Sequence, residues 1–256
     1  MALVNWIGFG TLLWKEIKRF LKVFGQTVVS PIITTLLYLI VFGFSLGNRI
    51  PTHAGVGYVD FLVPGLVMLI IINNAFMNTT SSLFISKLQG TLIDLLVAPI
   101  SNGAVLVAYV LAAVLRSLIC AAGVVAMAWL VSGVGMRFPL QVLGYAILVA
   151  VAFALLGFGT AIISDKFEQL NVVLTFVITP LTFLGGVFYS IDLLPEPWHT
   201  ISLFNPILYM INGFRHGFVG VSDVSPLFGI AFVIGSCVVL TCWNFWLLTN
   251  SKKLRP

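Results

Sequence analysis

One ionisable side chain, Arg116, falls deep inside a long apolar run. A charge in such a setting costs about 2.5 kcal/mol or more, so Arg116 needs either a partner within the protein or a water-filled path that leads to a substrate. Asn74 and Asn78 are spaced i, i+4 and share a helix face. Amides in this position hydrogen-bond between helices or line a polar route. Thr175, Thr179, Thr182 and Gly186 form a second stripe of small and hydroxyl residues beside Pro180. Such stripes mark close helix contact, so this face is a candidate subunit contact or pathway wall. Pro180 lacks an amide hydrogen and should loosen or kink its helix.

Catalytic chemistry finds no support. His53, His199 and His216 have no activated nucleophile near them in sequence. There is no GxxxxGK[ST] loop to cradle a phosphate and no HExxH or His/Cys/Asp cluster for a metal, so no catalytic residue, metal or bound cofactor is expected. Cys120, Cys237 and Cys242 lie in apolar runs and read as small packing side chains. Asp60, Asp94, Asp165, Glu168, Asp192, Glu196 and Asp223 fall at the ends of apolar runs or between them. A proton-driven pump usually needs an acid within the membrane. Its lack weakens a secondary transporter or channel, which stands as the alternative function.

The elements that hold these residues follow from composition. Of 256 residues, 60% are apolar and 8% charged; a soluble domain carries about 25% charged residues. That excludes a soluble enzyme, and the scattered Lys and Arg behind the net charge of +5 exclude a nucleic-acid module. The expected fold is all-α, a single transmembrane domain over 1–256 with six spans: 27–47, 61–79, 104–131, 140–163, 170–190 and 227–249. Each is long enough for a 30 Å hydrocarbon core. Residues 1–24 read as an amphipathic helix in the membrane interface, with Ile7, Trp14, Ile17 and Leu21 on the apolar side and Lys15, Lys18, Arg19 and Lys22 as a basic stripe. With the N-terminus inside, Lys15, Lys18, Arg19, Lys22, Lys87, Lys166, Lys252, Lys253 and Arg255 face the cytoplasm, against Arg49, Arg137 and Arg215 outside. The positive-inside rule then puts both termini in the cytoplasm.

Two connecting segments carry more pattern than a loop requires. Residues 81–100 include Leu88, Leu92, Leu95 and Leu96 on one face, with Gly90 and Pro99 as punctuation. This predicts a short cytoplasmic helix with a docking surface. Residues 191–225 are broken at Asn205-Pro206 and interrupted by Arg215-His216. They are too polar for a span and too apolar for a solvated loop, so a helix–break–helix hairpin dipping into the outer leaflet is expected. Backbone of that kind is tolerated where protein or water satisfies it.

The chain resembles the ABC-2 type transporter permeases. Gly90-Thr91, Asp94, Leu95-Leu96 and Pro99 match the coupling-segment pattern, although many members carry Glu where Asp94 stands. Pro180–Trp198 and Asn205–Gly220 match the late signature. The resemblance implies a dimer of six-span subunits, most simply a homodimer, in the bacterial inner membrane. It further implies two copies of a separate cytoplasmic ATPase subunit, which would carry the ATP and Mg. Lys87, Gly90, Thr91, Asp94 and Pro99 inherit the role of coupling to that subunit, and 191–225 that of an external re-entrant hairpin. The expected activity is export of an amphipathic, glycolipid, polysaccharide or drug-like substrate.

Overall fold

A computed structural model describes residues 5–44 and 55–250. Arg49, His53 and the basic residues Lys252, Lys253 and Arg255 lie outside the described residues, as do the side chains of Phe44 and Leu96. Six stretches are long and apolar enough to cross a membrane: Gly25–Gly43, Tyr58–Leu88, Asn102–Ser132, Pro139–Ile163, Phe167–Leu184 and Pro226–Asn250. These match the six expected spans, with shifted ends.

The helices, in order, are α1 (Trp6–Lys22), α2 (Ser30–Tyr38), α3 (Tyr58–Leu88), α4 (Thr91–Val97), α5 (Asn102–Ser132), α6 (Pro139–Ile163), α7 (Phe167–Val172), α8 (Thr179–Leu184), α9 (Trp198–Leu203), α10 (Pro206–Val219) and α11 (Pro226–Asn250). Helix α3 is the axis of the bundle, packed chiefly on α6 and α5. Its contact with α6 is close because Gly157 has no side chain: a Cβ there would stand 2.4 Å from Thr79 Oγ1 and 2.5 Å from the Phe76 carbonyl. Thr79 uses that proximity to donate to the Ala154 carbonyl at 2.9 Å.

The first and fifth spans are built differently. Each holds a π-helical stretch, Gly25–Val29 and Val173–Ile178, that ends just before a hydroxyl–proline pair, Ser30-Pro31 or Thr179-Pro180. Proline has no N–H to give the preceding turn. The widened turn accommodates this, and Cys120 Sγ lies 3.4 Å from the Thr27 carbonyl that Pro31 cannot serve. Both spans are mostly exposed, whereas α3 is mostly buried.

One expectation is corrected. Helix α3 does not end at Thr79 but runs unbroken to Leu88, so of 81–100 only Thr91–Val97 forms a separate helix. In α1 the Ile7, Trp14 and Leu21 side is exposed, and Leu12, Glu16 and Phe20 turn inward. Between α9 and α10 the helix is broken at Asn205, and α10 runs through Arg215 to Val219.

Candidate functional site

Three regions gather the residues singled out from sequence. The first is the end of the bundle that carries α4. Gly90 has φ +74°, a conformation that glycine adopts readily, and it turns the chain from α3 into α4. Thr91 Oγ1 donates to the Ser86 carbonyl at 3.2 Å, and Leu92 is buried. The opposite side of α4 is open: Ile93, Asp94 and Val97 are exposed. Leu88, expected to share one face with Leu92, is exposed where Leu92 is buried, because the turn at Gly90 separates the two. Pro99 is exposed and forces Ala98 to be extended, which ends α4. Lys87 turns away from this surface. Its Nζ donates to the carbonyls of Ile162 at 3.0 Å and Ser164 at 2.7 Å, capping the end of α6. Gly8, near the start of α1, lies against Ile100, so α1 and the α4–α5 connection adjoin.

The second region is a charged cluster where α1 meets α3 and α5. Arg19 Nε pairs with Glu16 Oε2 at 3.2 Å, and Ser82 Oγ donates to the same oxygen at 2.5 Å. Arg19 Nη2 reaches Asn78 Oδ1 at 2.9 Å, and Arg116 Nη1 reaches that oxygen too, at 3.2 Å. Arg116 thus shares one neutral oxygen with Arg19. Arg19 leaves the basic stripe for the interior, while Lys15, Lys18 and Lys22 stay exposed. Glu16 is fully buried, and the sequence reading passed over it. The available signal was its i±4 spacing from Leu12 and Phe20, which puts an acid on the apolar stripe of α1. Asn74 does not join the cluster; its Nδ2 turns back to the Ile70 carbonyl at 3.1 Å.

The third region lies at the opposite ends of α3 and α6, where α9 and α10 sit. The helices break at Asn205, whose Oδ1 accepts from the Ile207 amide at 3.0 Å while its Nδ2 donates to the Leu181 carbonyl at 2.5 Å. Pro206 opens α10, where a missing amide hydrogen does no harm. Arg215 is completely buried. Its guanidinium lies 3.7 Å from the Phe61 ring centroid, and it donates to the carbonyls of Phe61 at 3.3 Å and Gly186 at 2.5 Å. Burial pushes its pKa down to about 10 and Asp223 pulls it back up, so it is charged at neutral pH. One side chain thus ties α10 to α3 and to the turn after α8.

The Thr175–Gly186 stripe is not one face. The π-helical turn shifts the register, leaving Thr175 and Pro180 exposed, Thr179 half-buried and Thr182 buried. Gly186 lies beyond α8, in a turn at φ +79° where its carbonyl serves Arg215.

Comparison with known proteins agrees with this architecture. The inner membrane transport permease YadH of Escherichia coli (strain K12) is 41% identical across the full length of both chains. Nodulation protein J of Rhizobium leguminosarum bv. viciae is 24% identical, over 98% of this chain and 95% of that protein. The sequence pattern of the ABC-2 type transporter family matches residues 8–219, and the chain belongs to that family of membrane transport permeases.

Proposed function

We propose that this chain is the membrane subunit of an ATP-driven exporter in a bacterial inner membrane. It works as a homodimer with two copies of a separate cytoplasmic ATPase that holds the ATP and Mg. The observation that carries this reading is α4: a short helix fixed to the bundle by Leu92 and Thr91, with Ile93, Asp94 and Val97 left exposed. A connector with no partner has no use for exposed apolar residues beside an exposed acid. Asp94 makes a charge-assisted bond to the ATPase, about twice as strong as a neutral one. Gly90 and Pro99 set the angle of α4, and Lys87 passes its movement to the end of α6. Helix α1 lies in the membrane interface next to this joint.

By the charge asymmetry, the α4 end and both termini face the cytoplasm, and 191–225 is a re-entrant hairpin at the outer mouth. The exposed first and fifth spans, with Thr175 and Pro180, serve the subunit contact or the pathway. Glu16 is held by Arg19 and Ser82, which fits an ATP-driven cycle better than a proton relay. Substrates of an amphipathic, glycolipid, polysaccharide or drug-like kind suit such a route. The test is Asp94→Arg, assayed by co-purification with the ATPase and by substrate-stimulated ATP hydrolysis. The variant should insert normally, yet lose partner binding or stimulation at least tenfold; unchanged binding and stimulation would refute the assignment.

A further inference from the structure

The cluster at the α1–α3–α5 junction holds two guanidiniums and one carboxylate. Glu16 is committed to Arg19. Among the described residues, Arg116 has only the neutral Asn78 oxygen, already shared with Arg19, and its buried Nε has no hydrogen-bond partner. A charge at this depth is expensive unless opposed by another. Arg116 is nevertheless only half-buried, so an anion can reach it. The approach is positive as well: Lys15 and Lys22 flank Arg19 at i−4 and i+3 on α1, both exposed. Among the described residues Glu16 Oε1 is a buried acceptor without a partner, so a ligand bearing a hydroxyl or ammonium beside its anionic oxygens suits the cluster better than a bare anion.

We propose that Arg116 and Arg19 form a binding site for the phosphate of an amphiphile's headgroup, entered from the membrane interface beside α1. A guanidinium presents paired N–H groups that match phosphate oxygens, and basic pockets between membrane helices recognise headgroups through such contacts. Bound phosphate supplies the charge that Asn78 lacks. The site stands on this charge count alone and does not require the exporter assignment, because binding is read without ATPase or transport.

The experiment titrates purified full-length permease, in a neutral detergent, with dihexanoyl phosphatidic acid, following tryptophan fluorescence. Dioctanoyl glycerol, which lacks the phosphate, is the control. Saturable binding of phosphatidic acid alone is expected, weakened at least tenfold in Arg116→Gln. Asn78→Asp is the decisive variant. It places a carboxylate between the two arginines, so it should raise the melting temperature and weaken binding at least tenfold. It also carries the test should Arg116→Gln fail to fold. Competition by inorganic phosphate would identify a free-anion site; its failure to compete would identify an acyl-anchored headgroup, and either outcome supports a phosphate site. Equal binding of dioctanoyl glycerol, or wild-type affinity in Asn78→Asp, overturns the proposal.

Discussion

Replacing Arg215 with Met tests how the α9–α10 segment is held. The substitution keeps much of the side-chain length but removes every polar contact. It strands the carbonyl of Gly186, which accepts from Arg215 at 2.5 Å, and takes a donor at 3.3 Å from the carbonyl of Phe61 inside α3. A buried acceptor left without a partner costs about 1–3 kcal/mol. The stack on Phe61, worth roughly 2 kcal/mol away from water, is lost too. Against these losses, methionine avoids burying a charge, which offsets several kcal/mol. The expected balance is a loss of about 1–2 kcal/mol. Thermal unfolding in neutral detergent, followed by tryptophan fluorescence, measures the loss. Limited proteolysis should also cut within 189–200 faster in the variant than in the parent. A change below about 0.5 kcal/mol, the level of an ordinary surface substitution, together with unchanged proteolysis, would mean that Arg215 does not secure this segment.

Two further outcomes are expected. Gly157→Leu should destabilise the protein by several kcal/mol or stop it folding, roughly as severe overpacking does, because its Cβ would meet the Phe76 backbone at 2.5 Å; expression and gel-filtration profiles report it. Gly90→Ala meets no atom within 4 Å but must hold φ +74°. It should cost about 1–2 kcal/mol of backbone strain, and, on the proposed role of α4, it should weaken co-purification with the ATPase more than it lowers the melting temperature.

The spans could be read from sequence because hydropathy is a property of long windows and survives errors of a few residues. What misled the reading was polar residues whose partners lie close by. Thr79, Thr80 and Ser81 look like the end of a span, yet each hydroxyl bonds a carbonyl of its own helix and α3 carries on. Arg215 reads only as a polar interruption of an apolar run, because a lone charge gives no hint of the Gly186 and Phe61 carbonyls that it meets 29 and 154 positions away. Glu16 hides among lysines that do face outward. The threonine stripe assumes 3.6 residues per turn, and one π-helical turn is enough to put Thr175 and Thr182 in different surroundings. The turn at Gly90 and the end of α4 before Pro99 were legible because turn residues declare themselves locally.

The paired π-helical turns have a mechanical consequence. A helix resists bending through its ladder of i→i−4 bonds, and that ladder is weakest where a wide turn meets a proline. The first and fifth spans each contain such a joint, and neither is clamped by neighbours on all sides. Helices α3, α5 and α6, by contrast, are locked together by close crossings such as the one at Gly157. The described bundle is therefore a stiff central post flanked by two compliant struts. It can change its girth by flexing the struts at Ser30-Pro31 and Thr179-Pro180 while the post keeps its packing.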